Sequence, residues 1–276
     1  KSKMRKITLL LLLIIVSCNK KEQKSEQNLD FFNLKGKIKT VQITTYEADL
    51  KFGEPQKNNN IFNQEILKFN TDGLLISKNA EFENFEYKYD NSNNLIFSAE
   101  KNKEGKTNIT RNNKYNENNQ LIEENIVQYG EKLIKKYTYE KNKIIIISYD
   151  ANGKTSGAKQ IREVADNGNI TKVSNYNNSG DLISEIAFKY DKNGNETQAL
   201  INKEFFLKGV PLNEVINKYD ETNKIISTIT NDENGVLLQE VKYSYEYDEN
   251  NNWIKMIYYE DEKVVSITER KIIYED

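Results

Sequence analysis

Tyr190-Asp191-Lys192-Asn193-Gly194-Asn195 holds, in six residues, the plan of the whole chain. The aromatic residue closes a strand. The Asp side chain accepts hydrogen bonds from backbone amides just ahead of it, and the Gly takes a positive φ that bulkier residues resist. A return strand follows. The phrase recurs as an aromatic residue, Asp or Asn, a few polar residues, Gly or Asn, and then an apolar pair. Copies begin at Tyr89-Asp90, Tyr115-Asn116, Tyr176-Asn177, Tyr219-Asp220 and Tyr247-Asp248, and end on Leu95-Ile96, Leu121-Ile122, Leu182-Ile183, Ile225-Ile226 and Trp253-Ile254. Looser copies such as Asn102-Lys103-Glu104-Gly105 and Asp232-Glu233-Asn234-Gly235 fill the gaps. A fixed period of this kind marks a repeat architecture.

The segments between turns alternate. Val241, Tyr243, Tyr245 and Tyr247 share one face, and Lys242, Ser244, Glu246 and Asp248 the other. Phe85, Tyr87 and Tyr89 repeat the pattern. Period two, rich in Tyr and Ile, is the signature of a half-buried strand. The apolar run at residues 144–147 reads as a strand buried on both faces. Strong turns return every second turn, so the unit is two strands, with strong tips along one edge of the sheet and weaker tips along the other. The expected fold is all-β: one long antiparallel meander of repeated β-hairpins, a twisted or curling single sheet. Residues 34–68 lack the phrase in its full form and read as an N-terminal cap, because terminal repeats of a stack are atypical. The last strand, residues 264–274, carries Glu269, Arg270 and Lys271, which would discourage pairing at an open edge.

With Tyr190-Asp191-Lys192-Asn193-Gly194-Asn195 as its best match, the chain resembles the YD repeats of RHS-type bacterial proteins over about residues 60–276. Tyr247-Asp248-Glu249-Asn250-Asn251-Asn252 departs from the phrase by Asn in place of Gly. The resemblance implies antiparallel hairpins stacked into long, curling sheets. Large members close into shells around a toxin, a role that a chain this short does not inherit. Short exported members are often labelled sugar-binding, a label that rests on family naming.

The first residues read as a secretory signal. Met4-Arg5-Lys6 is basic, and residues 7–16 are apolar apart from Thr8. That run is too short to span a bilayer as a helix. Ile15-Val16-Ser17-Cys18 resembles the lipobox of a bacterial lipoprotein, which implies a signal peptide at 1–17 and a lipidated Cys18, the only cysteine. Multiple acyl chains would give stable anchoring to a membrane. The rest of the segment 18–33 reads as a flexible tether, and 34–276 as the repeat domain. The expected location is the bacterial cell envelope, at the outer membrane. Residues 1–17 hold four of the 40 basic residues and no acid, so the remainder carries 36 bases against 42 acids, a net charge of −6. A mildly acidic surface argues against nucleic acid as a partner.

Histidine is absent, which removes Ser-His and Cys-His nucleophile pairs and His-based metal sites. Asp191, Asn193 and Asn195 share the odd spacing of a calcium loop. That loop also needs Gly at its sixth position and Glu at its twelfth, where this chain has Glu196 and Asn202. Neither metal nor cofactor is expected, and no catalytic residue is assigned. Trp253, the only tryptophan, adjoins a strong turn, with Tyr258 and Tyr259 one strand further on. These three are the candidate ligand-binding residues, because exposed aromatic faces stack on sugar rings. The opposing reading is that turn tyrosines pack on their equivalents in the next hairpin. The expected function is non-catalytic binding of a glycan or protein partner through the sheet. The alternatives are an immunity or accessory lipoprotein that neutralises a toxin, and a hydrolase using a carboxylate pair.

Overall fold

The computed structural model describes residues 27–202, 206–207 and 210–275. The regular elements among them are strands. In chain order they are β1 (Ile38–Lys51), β2 (Glu54–Phe69), β3 (Leu75–Ala80), β4 (Glu83–Tyr89), β5 (Leu95–Asn102), β6 (Thr107–Tyr115) and β7 (Leu121–Gln128). Then come β8 (Glu131–Glu140), β9 (Lys143–Asp150), β10 (Thr155–Val164), β11 (Ile170–Tyr176), β12 (Leu182–Tyr190) and β13 (Glu196–Asn202). The last are β14 (Phe206–Leu207), β15 (Val210–Tyr219), β16 (Ile225–Asp232), β17 (Leu237–Tyr247), β18 (Trp253–Glu260) and β19 (Lys263–Tyr274).

Each strand pairs antiparallel with the next. β13 and β14 both run against β15, so they form two pieces of one stave. The nineteen segments therefore make an eighteen-stave meander. β1 pairs with β2 on one side and with β19 on the other, where Val41 faces Ile272 and Glu47 faces Ser266. The expected antiparallel meander of hairpins is what forms, but it does not stay an open, curling sheet: it closes into a barrel. Strand twist accumulates along a sheet until its first and last edges meet, and closure removes both rows of unpaired backbone groups. Residues 34–68 consequently cap nothing; they supply β1 and β2 at the seam. Residues 264–274 are not a guarded edge. Glu269 turns outward onto Lys57 at 2.7 Å, while Arg270 turns inward.

The two faces of the wall differ. Ile109, Ile126, Ile144, Ile146, Val173 and Val241, all buried, point inward. In the run 144–147, Ile144 and Ile146 are buried while Ile145 and Ile147 are only partly so, which places that strand in a two-faced wall rather than a double-sided core. Charged side chains also face the interior, in the ion pairs Lys78–Glu65 and Arg111–Glu124–Lys135. Arg111 and Lys135 keep 40% and 36% of their side-chain exposure, so the interior is solvated. A ring of this many strands is wider than inward side chains can fill. The outer wall carries the pairs Lys101–Glu86, Lys114–Glu123, Lys172–Glu163 and Lys255–Glu246. A charged outer wall differs from the apolar band of a membrane-spanning barrel.

The turns obey one rule. Asp90 Oδ1 accepts from the amides of Ser92 and Asn94, and Asp191 Oδ1 from those of Asn193 and Asn195, all at 2.8–2.9 Å. Asp220 and Asp248 do the same at their own tips. Asn93, Asn119, Asn223 and Asn251 take the positive φ where other copies have Gly. Burial works to raise the carboxyls of Asp90, Asp191 and Asp220, but the amide donors outweigh it and hold them below the usual value. The apolar pair has a separate cause. A β-bulge follows each of these tips, so Tyr89 faces Leu95 while Lys88 faces Phe97, and Ile96 is left unpaired. Ile122 and Ile226 sit at the same bulge, and all three are partly exposed.

The strong tips after β4, β6, β12, β15 and β17 lie on one rim, as the two-strand period implies. The Tyr176 phrase is an exception, since it ends β11 at the opposite rim. The rim tyrosines do not stack on one another as a series. Their hydroxyls donate backward to the carbonyl that opens an earlier return strand: Tyr89 to Leu75, Tyr115 to Leu95, Tyr139 to Leu121, Tyr190 to Ile170 and Tyr219 to Glu196, at 2.7–3.0 Å. Each aromatic ring thus fixes the register of its hairpin against its predecessor.

Residues 27–33, expected in the tether, are folded into the mouth at this rim together with Leu34. The Leu29 amide donates to the Gly73 carbonyl and the Leu75 amide to the Gln27 carbonyl. Leu34 joins Ile38, Val41, Leu67, Phe69 and Leu75 in the largest apolar cluster, with Phe32 edge-on to Phe69 at 5.7 Å.

Candidate binding mouth of the barrel

The repeat itself provides a reference for what folding requires at each position. The fifth residue of each five-residue tip on this rim is buried or half-buried: Leu74, Asn94, Gln120, Asn169, Asn195, Lys224 and Asn252. Lys224 is the charged member, and it is 6% exposed. The next residue opens the return strand, opposite a rim aromatic in six copies and opposite Val164 in the seventh: Leu75, Leu95, Leu121, Ile170, Glu196, Ile225 and Trp253. Here Glu196 stands where its equivalents are apolar. The tips carrying these two departures are neighbours, bridged by Asn195 Nδ2 donating to Asn223 Oδ1 at 2.9 Å.

Trp253 is buried rather than displayed. The bulge between Glu246 and Tyr247 turns it inward opposite Tyr247. The Arg270 guanidinium lies 3.4 Å from its ring centroid, and Tyr245 packs at 6.1 Å. The Tyr245 hydroxyl donates to the carbonyl of Ile225, next to Lys224. Arg270 donates one Nη to the Phe32 carbonyl at 3.3 Å, while its buried Nε has no partner among the described residues. Asn252 is fully buried. Its Oδ1 accepts from the Lys35 amide at 2.6 Å, and its Nδ2 donates to the Lys35 carbonyl and the Tyr274 hydroxyl. Arg270 thus stacks on Trp253, and Lys35 and Arg270 both lie close enough to Lys224 for their charges to act on it. Burial lowers the Lys224 ammonium, and the charges of Lys35 and Arg270 lower it further. Burial also pushes Arg270 down to about 9, which leaves it charged at neutral pH.

Of the three aromatic residues expected to bind, only Trp253 belongs to this mouth. Tyr258 faces inward against Tyr243 at 5.8 Å, and Tyr259 lies on the outer wall. They form no common surface. Cys18 and the signal lie outside the described residues. The signal that would have revealed the mouth was the mismatch among the copies, Lys224 among Asn and Gln, and Glu196 among Leu and Ile. Two hollows lie elsewhere: about 180 Å³ beside Gly36, Asn70 and Asp72, and about 380 Å³ outside β9–β11 beside Ile147 and Tyr176.

Burial pushes the Glu196 carboxyl up to about 7, and no second carboxylate among the described residues contributes to the shift. An acid raised in the folded state destabilises it once ionised. The cost is absent below about pH 4.5, grows as the pH rises and is complete above about 7. Glu196→Leu restores the residue of the other copies. It is expected to raise stability by about 2 kcal/mol at pH 8 and by little at pH 4. Urea midpoints of the two proteins at the two pH values check this.

The opposite rim presents apolar tips. Phe52, Phe82 and Tyr129 are 103%, 74% and 71% exposed. Phe52 and Tyr129 take φ of 56° and 49°, a strained conformation for an aromatic residue, and each precedes a Gly in a two-residue turn. Asn-Gly is the favoured pair for such a turn. Phe52→Asn is therefore expected to stabilise the protein by about 0.5–1 kcal/mol, read as a rise in melting temperature.

No known protein family matches the chain, and no curated protein matches it. Among solved structures it is similar to a porin-like protein from Bacteroides uniformis, at 11% identity and a TM-score of 0.44, over 86% of this chain and 96% of that one. A porin-like protein from Bacteroides vulgatus gives 11% identity and a TM-score of 0.38, over 87% of this chain and 99% of that one. The Tc holotoxin pore of Photorhabdus luminescens gives 12% identity and a TM-score of 0.32, over 83% of this chain but 14% of that one. Likenesses this loose say nothing of what the chain binds.

Proposed function

We propose that this chain is a non-catalytic, lipid-anchored protein of the bacterial cell envelope that binds a glycan at the mouth of its barrel. The observation that carries the proposal is the placement of Lys224 and Trp253 inside the mouth, at positions where most other copies of the repeat have Asn or Gln and Leu or Ile. Aromatic rings beside polar donors suit a sugar ring. Lipidation of Cys18 supplies the membrane attachment, and the nine residues from there to Gln27 reach at most about 30 Å. Titration of the full chain with a polysaccharide panel, followed by fluorescence of the single tryptophan, tests the binding. A flat response throughout removes the glycan. Mass analysis tests the anchor: a Cys18→Ser chain that is still processed and membrane-bound rules it out.

A protein partner is the second reading, and the strained, exposed Phe52 and Tyr129 favour it. A tether rooted at the tyrosine rim leaves the rim of Phe52, Phe82 and Tyr129 facing away from the membrane. An immunity or accessory role would use that rim. Serine at all three positions would abolish co-purification of such a partner and leave the tryptophan response unchanged.

A further inference from the structure

We infer that the mouth recognises an oxyanion, the carboxylate or phosphate group of an acidic ligand, held by Lys224 and Arg270 beside Trp253. The inference rests on the proposed glycan site and names its chemistry. Two cations stand inside the mouth, and the charge of the exposed Lys35 also acts on Lys224. Lys224 forms no ion pair with a carboxylate among the described residues, and neither does Arg270. That arrangement is costly. A buried charge is ordinarily paired, and like charges in one site repel. Elsewhere on the inner wall the chain meets the same need with acids: Glu65 answers Lys78, and Glu124 answers Arg111 and Lys135. At this mouth the groups around the two cations are tyrosines and Trp253; Glu65 and Asp220 lie near enough for their charges to favour Arg270 and Lys224, but both are engaged, Glu65 with Lys78 and Asp220 with Thr222, the Lys224 amide and Tyr247.

The geometry fits an anion better than a structural role. Stacking on Trp253 holds the guanidinium plane of Arg270, and its Nε points at no acceptor among the described residues. A planar, oriented guanidinium is suited to a carboxylate or phosphate, and an ammonium beside it adds charge without imposing geometry. The neighbouring Glu196 is the one acid among the strand-opening residues of this rim. Burial favours its neutral form, so it opposes an incoming anion less than an ordinary carboxylate would.

The test uses the full-length protein in detergent at constant ionic strength, with inorganic phosphate, galacturonate and galactose as probes. Trp253 fluorescence reports occupancy through its contact with Arg270. We expect a saturable response to phosphate, galacturonate or both, and a weaker one to galactose. The anion that binds more tightly identifies the group. Lys224→Asn installs the residue that copies 94, 169, 195 and 252 carry, so it should fold at least as well as the parent. It is expected to weaken anion binding about tenfold. Equal affinity for galactose and galacturonate, with Lys224→Asn unchanged, overturns the inference and leaves the glycan reading standing. No response to either anion overturns it as well, and the polysaccharide panel then decides the glycan reading separately.

Discussion

Asn252→Leu is expected to lose about 3 kcal/mol of stability and to release the N-terminal segment from the mouth. The side chain is fully buried and makes three hydrogen bonds, two of them to the backbone of Lys35 across 217 residues of sequence. Leucine fills a similar volume but leaves the Lys35 amide, the Lys35 carbonyl and one bond of the Tyr274 hydroxyl without their partner. Each orphaned buried group costs about 1–3 kcal/mol, reduced where water enters. Urea denaturation measures the loss. Faster amide hydrogen exchange confined to residues 27–37 and the tip at 248–252 distinguishes local release from global weakening. An unchanged urea midpoint would mean that Asn252 is not the tie.

Leu67→Ala is expected to cost about 3 kcal/mol. Leu67 is 1% exposed and sits on β2 opposite Val41, in the cluster with Leu34, Ile38, Phe69 and Leu75. Removing its branched end deletes buried apolar surface and leaves a cavity between fixed neighbours, which places the cost in the range of about 2–5 kcal/mol. The interior of the barrel is otherwise wet and mixed, so this cluster is the largest concentration of apolar burial at the seam. The same substitution at Leu200, which is 39% exposed on the outer wall, should cost well under 1 kcal/mol. The two melting curves, measured side by side, check the difference.

Strands and turns were legible because they depend on local chemistry. Asp191 opens its turn with its own side chain, and period two puts Tyr243 and Tyr245 on one face whatever the rest of the chain does. Closure was not legible, because it depends on Ile38 meeting Tyr274 across the whole length of the domain. A charged last strand looks the same as a guarded edge or as a seam. Trp253 was found but misplaced. Its neighbourhood to a turn implied exposure, whereas the bulge at Tyr247 rotates it inward. Lys224 and Glu196 were passed over because each lies within an ordinary polar stretch. They stand out only when the tips are superposed, which asks what the repeat requires at a given position rather than what a residue does alone.

The tyrosine hydroxyls have a direction. Tyr89 reaches back to Leu75, Tyr115 to Leu95, and Tyr219 to Glu196; in this series each acceptor precedes its donor in the chain. A hairpin can therefore dock as soon as it is made, on one already formed, without waiting for sequence still to come. For a chain made from its N-terminus, this is a vectorial assembly rule. Growth proceeds stave by stave, and the β1–β19 seam joins last. Until Tyr274 arrives, the first strand keeps an open edge, so the seam sets the interval during which the chain is open to misassembly with a second copy.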